Sequence, residues 1–176
     1  MRLAAFAFLA LLMGCGSSQP SQTPAAHTQR IAARSFSGVP TTDILFRNAN
    51  GALVAWSVQG AHKTGDTNLG TADASWTVQA VADFDGDGRA DVLWRNRDGA
   101  LSMWIGDHRT AISNPGAAWS VADVGDYDGD GKADILWRNA NGQLSIWTMN
   151  GATGVSNGII GSVGPEWTIV PSCCGR

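Results

Sequence analysis

Residues 83–96 read Asp-Phe-Asp-Gly-Asp-Gly-Arg-Ala-Asp-Val-Leu-Trp-Arg-Asn, and residues 126–139 repeat them as Asp-Tyr-Asp-Gly-Asp-Gly-Lys-Ala-Asp-Ile-Leu-Trp-Arg-Asn. A shorter copy, Asp43-Ile-Leu-Phe-Arg-Asn48, precedes both. The Asp that opens each six-residue segment lies at position 43, 91 or 134, so the copies start 48 and then 43 residues apart. Self-similarity at a period of about 40–50 residues indicates a repeat architecture.

Each copy is followed by a turn and by two further apolar segments. The turn contains Asn-Gly or Asp-Gly, which suits the positive φ angles of a type I′ hairpin. Apolar and polar residues then alternate with period two, as in a half-buried strand. All eight tryptophans fall in this register. The turns are Asn50-Gly51, Asp98-Gly99 and Asn141-Gly142, the second strands end at Trp56, Trp104 and Trp147, and the later strands begin at Trp76, Trp119 and Trp167.

These units predict an all-β fold, a β-propeller-like array of about three four-stranded antiparallel blades. Four short strands in about 45 residues are typical of a propeller blade. The array would be an incomplete ring or a ring closed through the last strand, Trp167 to Val170. That strand would complete the first blade, either in its own chain or in a neighbouring chain of an oligomer. The alternative is another β array, a sandwich or a solenoid. Helical repeats are disfavoured because Glu166 is the only Glu and Lys63 and Lys132 the only Lys, whereas Asp and Gly are abundant.

The two aspartate loops predict two calcium sites. Carboxylates at positions 1, 3, 5 and 9 of each loop can converge on one point, Gly at position 6 allows the sharp turn, and the carbonyl at position 7 can face inward. Ca²⁺ takes six to eight such oxygens at about 2.3–2.6 Å. The alternative is an acidic turn that only faces water. The candidate ligands are Asp83, Asp85, Asp87, Arg89 and Asp91 in the first loop and Asp126, Asp128, Asp130, Lys132 and Asp134 in the second.

An EF-hand is excluded, because its twelfth position requires a bidentate Glu and here it is Trp94 or Trp137. The loops instead resemble the calcium loops of FG-GAP/VCBS-type repeats, as in integrin-α-like propellers. The resemblance covers about residues 42–170 and implies one Ca²⁺ in each loop. The first unit departs from the pattern, since Ser35, Ser37 and Val39 stand at positions 1, 3 and 5. We therefore expect no third site.

The amino end predicts export and a lipid anchor. Arg2 precedes an apolar run over residues 3–13, which has the length of a signal-peptide core and is too short to span a bilayer. The run ends in Leu-Met-Gly-Cys15, which resembles a bacterial lipoprotein cleavage box and implies a cell-envelope lipoprotein lipidated at Cys15. It would lie in the outer membrane if the host is Gram-negative. We predict a signal peptide at 1–14, a flexible tether at 15–41 and the repeat domain at 42–176.

Composition limits the function classes further. Lys and Arg number 12 against 15 for Asp and Glu, which disfavours nucleic-acid binding because that needs a basic face. His27, His62 and His108 show no metal-ligand spacing, and no catalytic constellation is recognisable, so we expect no enzyme. Cys173 and Cys174 either pair across chains or have no role.

The sequence therefore predicts a calcium-binding, envelope-anchored binding or adhesion module. Its partner would be an extracellular protein or glycan, its membrane contact would run through the lipid alone, and it could form a homo-oligomer. One alternative is a lectin-like protein, because Trp faces stack on sugar rings, although blade packing explains the Trp register more simply. The other is a truncated remnant of a larger FG-GAP repeat protein.

Overall fold

A computed structural model describes residues 35–39 and 41–170, and every regular element in these residues is a β-strand. No helix long and apolar enough to cross a membrane occurs in the described part of the chain. The eleven strands are β1 Ile44–Arg47, β2 Ala52–Gln59, β3 His62–Thr71, β4 Trp76–Ala82, β5 Asp91–Asn96, β6 Leu101–Ile105, β7 His108–Ile112, β8 Trp119–Gly125, β9 Asp134–Asn139, β10 Gln143–Asn150 and β11 Thr153–Ser162.

The strands form three antiparallel sheets, which we call blades 1, 2 and 3. Blade 1 has the order β1-β2-β3, blade 2 the order β4-β5-β6-β7, and blade 3 the order β8-β9-β10-β11. In blades 2 and 3 the Trp-led strand is the first, and the Asp-led strand pairs with it. The predicted all-β array of repeated blades is confirmed. It is open, because none of the three sheets closes on another in the described residues.

The prediction that the last segment completes blade 1 within the chain is not met. Residues 167–170 form no strand, and blade 1 has three strands. The physical reason lies in Arg138, which donates hydrogen bonds to the carbonyls of Gly164 (2.9 Å) and Trp167 (2.7 Å). These bonds hold the segment beside blade 3, at the other end of the array from blade 1.

Alternation along each strand divides every blade into two faces, and neighbouring blades pack face to face. One apolar cluster joins blades 1 and 2 through Leu53, Val92 and Trp94, and a second joins blades 2 and 3 through Leu93 and Trp137, among others. Burial of apolar area contributes about 25 cal/mol per Å². The contacts between blades therefore form the core.

Packing against the blades explains why most tryptophans recur at fixed positions in the repeat. The ring centroids of Trp94 and Trp104 lie 4.8 Å apart, and those of Trp137 and Trp147 lie 5.3 Å apart. Six tryptophans are buried or half-buried between or beside the blades: Trp76, Trp94, Trp104, Trp119, Trp137 and Trp147. Trp56 and Trp167 are exposed.

The hairpins differ from the predicted type I′ turns. The N–H of Gly51 donates to the carbonyl of Asn48 (3.1 Å), so Ala49 and Asn50 are the central residues and Gly51 follows the turn with a φ of 88°. This corresponds to a longer hairpin loop that ends in a left-handed glycine. Asn48 favours it because its side-chain oxygen accepts from the N–H groups of Asn50 and Ala52, both at 3.0 Å. The sequence interpretation overlooked this Asn.

The fold also begins earlier than the predicted boundary at residue 42. Ser35 and Phe36, which the sequence analysis assigned to the tether, are buried, and Phe36 belongs to the cluster between blades 1 and 2. The signal peptide, the lipidation site Cys15 and most of the tether lie outside the described residues.

Candidate metal centre

Two loops of the same shape connect the first and second strands of blades 2 and 3. We call them loop A (residues 83–91, between β4 and β5) and loop B (residues 126–134, between β8 and β9). Each begins where a Trp-led strand ends, and its last residue is the first of the Asp-led strand. Equivalent blades therefore place both loops at the same end of the array.

Loop A is curled by its own backbone. The N–H groups of Gly86 and Gly88 donate to Asp83 Oδ1 (2.7 Å) and Oδ2 (2.8 Å), and both glycines have positive φ. A residue with a Cβ rarely adopts that conformation, which explains the two Gly positions. Asp85 Oδ1 accepts a hydrogen bond from the N–H of Asp87 at 3.0 Å. Asp91 closes the loop, because its Oδ2 accepts from the N–H of Phe84 at 2.9 Å.

Loop B repeats these bonds. Asp126 accepts from the N–H groups of Gly129 (2.7 Å) and Gly131 (3.0 Å), and Asp134 Oδ2 accepts from that of Tyr127 (2.8 Å). The environment differs, however. Asp83 is buried and Asp85 half-buried, whereas the equivalent Asp126 and Asp128 are exposed. Asp91 and its counterpart Asp134 are both buried. Loop A lies under blade 3, and among the described residues no further blade covers loop B.

The structure brings together three of the four predicted carboxylates in each loop. In loop A, oxygens of Asp83, Asp85 and Asp91 lie within 4.8 Å of one another, and in loop B those of Asp126, Asp128 and Asp130 do. Asp87 and Asp134 complete the predicted sets but do not join these groups. Both oxygens of Asp134 accept backbone N–H groups, from Tyr127 and from Met149 (2.9 Å). The carbonyls of Arg89 and Lys132 remain predicted ligands.

The carboxylates of loop A repel one another in a partly buried site. Burial raises the pKa of Asp91 from 3.8 to about 7, opposed by the N–H of Phe84 and reinforced by the charges of Asp85, Asp83 and Asp87. Burial, with repulsion from Asp87 and Asp83, also raises the pKa of Asp85. Ionised Asp91 is thus destabilised in the folded loop. A divalent cation would relieve this repulsion, since carboxylate oxygens are the ligands that Ca²⁺ prefers.

Loop B carries an internal cation that the sequence analysis did not consider. Lys132 Nζ lies 2.6 Å from Asp130 Oδ2, and this hydrogen bond lowers the pKa of Asp130 and raises that of Lys132. Burial raises the pKa of Asp134, opposed by its two backbone donors and reinforced by Asp128 and Asp130. The ammonium group partly offsets the negative charge of loop B. Loop A has Arg89 at the same position.

The first unit keeps the shape of the loop without its charge. Asp43 Oδ2 accepts from the N–H of Phe36 at 2.8 Å, just as Asp91 and Asp134 accept from Phe84 and Tyr127. Hydroxyl groups of Ser35 and Ser37 replace the carboxylates at positions 1 and 3, 3.1 Å from each other. Only one carboxylate remains in this loop.

Backbone hydrogen bonds link each loop to the next. The N–H of Ala90 in loop A donates to the carbonyl of Ser35, and the N–H of Ala133 in loop B donates to that of Asp83, both at 2.8 Å. The carbonyl of Phe84 accepts from the N–H of Gly151 in blade 3, again at 2.8 Å. An ion bound in loop A would therefore brace the contact between blades 2 and 3 as well as its own loop.

A repeated arginine links the blades at the opposite end. Arg47 donates to the carbonyls of Trp76 and Asp73, and Arg95 donates to those of Trp119 and Gly116. Each arginine thus holds the first residue of the next blade. The sequence carried this signal, since Arg recurs in every copy of the six-residue segment, but its role requires the fold.

Comparison with protein-family models identifies the repeat. Residues 83–137, which run from the start of loop A to Trp137, match the FG-GAP-like repeat. The matched stretch contains both aspartate loops and most of blade 2. No curated protein and no solved structure matches the chain. The match confirms the resemblance to FG-GAP-type repeats over these residues.

Proposed function

We propose that this FG-GAP-type repeat protein is a calcium-binding module, anchored to the cell envelope, that binds a partner outside the cell. The observation that supports calcium is the convergence of Asp83, Asp85 and Asp91 in a partly buried loop. In the described residues, the only ion pair of either loop is Lys132 with Asp130. Among the described residues, no ion pair therefore neutralises the carboxylates of loop A.

Oxygen-only ligands and a flexible ring of carboxylates favour Ca²⁺ over Mg²⁺, which demands a tighter octahedral geometry and keeps its waters. A ligand that binds only the folded form stabilises it by about 2.7 kcal/mol at a hundredfold excess over its dissociation constant. Calcium would thus fix loops A and B, and through Ala133 and Gly151 it would fix the blades against each other.

Thermal unfolding tests this proposal. Millimolar Ca²⁺ should raise the melting temperature, a chelator should lower it, and Mg²⁺ should have a much smaller effect. The double variant Asp85→Ala/Asp128→Ala should lose most of the calcium-dependent shift. Asp66→Ala/Asp98→Ala is the matched control, because it removes two carboxylates outside the loops. Identical melting curves in calcium and in chelator would refute the metal assignment.

The envelope anchor rests on the sequence around Cys15. Two or three acyl chains hold a protein stably at a membrane, whereas one does not, because each buried methylene contributes about 0.8 kcal/mol. Cells fed labelled palmitate should label the wild-type protein and the control Cys173→Ser/Cys174→Ser, but not Cys15→Ser. Label retained in Cys15→Ser would refute lipidation at this residue.

The partner would be an extracellular protein or a glycan, and we propose binding without catalysis. A glycan array probed in calcium separates the two kinds of partner. Sugar stacking would need exposed tryptophan faces, and six of the eight are packed in or beside the blades. We therefore favour a protein partner, for which the array stays blank. A calcium-dependent glycan signal would favour the lectin-like alternative.

A further inference from the structure

Blade 1 exposes an apolar face that the other blades bury. Ile44, Phe46 and Trp56 lie on the side turned away from blade 2 and are 47%, 42% and 39% exposed. The rings of Phe46 and Trp56 lie 4.6 Å apart. We call these three residues the front face.

The equivalent residues of blade 2 show what such a face does. Val92 and Trp94 occupy the places of Ile44 and Phe46 in the repeat, and they are only 2% and 1% exposed. They belong to the cluster that packs against blade 1, together with Trp104 at the place of Trp56. In blade 3 the same places hold Ile135, Trp137 and Trp147, which pack against blade 2. The front face of a blade is thus built to receive the preceding blade.

Blade 3 has the complementary back face. In blade 2 the back face consists of Leu93, Leu101 and Met103, all buried against blade 3. The matching residues of blade 3 are Leu136, Leu144 and Ile146, of which the last two remain half-exposed. The array therefore ends in a front face at one side and a back face at the other, and the two have the chemistry of faces that pack together inside it.

The carboxyl-terminal segment is already held as the start of a further blade. Arg138 donates to the carbonyl of Trp167 as Arg47 does to that of Trp76 and Arg95 to that of Trp119. Trp76 and Trp119 begin the first strands of their blades, whereas Trp167 is 64% exposed.

The place for such a strand is open in blade 1. In blades 2 and 3, the strands equivalent to β1 pair with β4 and β8. In the described residues, β1 has no such partner on that edge. A cleft of about 500 Å³ opens there, lined by Asp43 and Leu45 together with parts of β4 and β8.

We propose that a second copy of this chain packs its back face on the front face and adds residues 167–170 to β1. Propellers have four to eight blades, and six is the only multiple of three in that range. Two copies would therefore close a six-bladed ring with two identical interfaces, each joining one copy's front face to the other's back face.

The repeat also gives the register of the added strand. Trp76 faces Asn96, Thr77 faces Arg95 and Val78 faces Trp94, and β8 pairs with β9 in the same way. By equivalence Trp167 would face Asn48 of the other copy, Thr168 would face Arg47, and Ile169 would face Phe46. Loop B, exposed in one chain, would then be covered as loop A is.

Residues 28–34 of the same chain are the competing occupant of this place, and their sequence fits it poorly. Counted back from Ser35, they put Arg34 at the position of Ala82, which is fully buried, and Arg30 at that of Val78. A buried arginine without a partner is costly. Thr28 stands at the position of Trp76.

Sedimentation of the full chain tests the proposal, in a nonionic detergent that masks the apolar run at 3–13 or, in the processed protein, the lipid at Cys15. The wild type should sediment as a dimer, and the front-face variant Ile44→Lys/Phe46→Lys as a monomer. Val155→Lys/Ile159→Lys is the control, because it places the same charges on the exposed outer strand β11 and should stay dimeric. A monomeric wild type, a dimeric front-face variant or larger open assemblies would overturn the ring.

A mixing experiment tests the head-to-tail geometry. The back-face variant Leu144→Lys/Ile146→Lys should also be monomeric by itself. Mixed with the front-face variant it should form a dimer, because one intact front face then meets one intact back face. Failure of the mixture to associate would overturn the proposal. Circular dichroism confirms that each variant is folded, and Phe46→Ser replaces the double lysine variant if that one unfolds.

Discussion

Calcium binding to loop A should release protons near neutral pH. Burial and neighbouring carboxylates raise the pKa of Asp91 to about 7, so about half of the metal-free molecules carry a proton there at pH 7. A bound cation requires the ionised form, and that proton must leave. At pH 8 the protonated fraction falls to about one tenth, by the same titration.

The same shift fixes the sign of the pH dependence without metal. Unfolded Asp91 ionises near pH 3.8, whereas the folded residue keeps its proton to about pH 7. The stabilising contribution of the protonated form is complete below pH 3.8 and is lost as the pH rises to 7. Each pH unit between the two pKa values changes the free energy of unfolding by about 1.36 kcal/mol. Over roughly three pH units, ionisation of Asp91 therefore lowers the free energy of unfolding of the metal-free protein by up to about 4 kcal/mol.

Calorimetric titration with calcium in two buffers of different ionisation enthalpy measures the released protons. The titration uses a protein with Asp128→Ala, which abolishes calcium binding at loop B, so that the measured heat reports binding at loop A alone. We expect about half a proton per calcium at pH 7 and about a tenth at pH 8, and none once Asp91→Asn is added to this variant. Calcium binding to loop A at pH 7 without proton release would refute the account of Asp91.

The remaining predictions concern calcium affinity at loop B and the stability of a turn and of the core. Urea unfolding measures the two changes in stability. Lys132→Met should tighten calcium binding at loop B severalfold, because the ammonium no longer competes for Asp130; unchanged affinity would contradict this competition. Gly142→Ala should destabilise by more than about 1 kcal/mol, because its φ is 81° and the new methyl group would collide with the carbonyl of Val163, whereas Gly158→Ala should not. Met103→Ala should cost about 2–5 kcal/mol because the residue is fully buried between blades 2 and 3; a loss under 1 kcal/mol would contradict its place in the core.

Much of the fold could be predicted because each repeat presents the same physical pattern more than once. The copies at residues 83–96 and 126–139 fix the positions of a strand, a loop and a tryptophan together. A wrong assignment in one copy would therefore disagree with the other copy. The type I′ turns were wrong because the side chain of Asn48 supplies hydrogen bonds that a two-residue rule ignores. Local turn chemistry depends on such neighbours.

The candidate site was only partly accessible from the sequence. The spacing located the carboxylates, but burial separates loop A from loop B although their sequences are nearly identical. The sequence cannot show that blade 3 covers Asp83 while the equivalent Asp126 stays exposed, because that depends on which blade follows. Asp91 and Asp134, in contrast, are buried in both loops. The hydrogen bond from Lys132 to Asp130 likewise depends on a side-chain conformation. Strand counting left open whether the last strand completes blade 1 of its own chain or of a neighbour, because it does not show that Arg138 holds Trp167 beside blade 3.

Calcium stoichiometry tests the central claim most directly. Equilibrium dialysis with radioactive calcium, applied to the full chain and to variants Asp85→Asn and Asp128→Asn, counts the ions that each loop holds. The account predicts two calcium ions per chain in the wild type, one in each single variant and none in the double variant. A wild type that binds no calcium, or a double variant that still binds two ions, would contradict it.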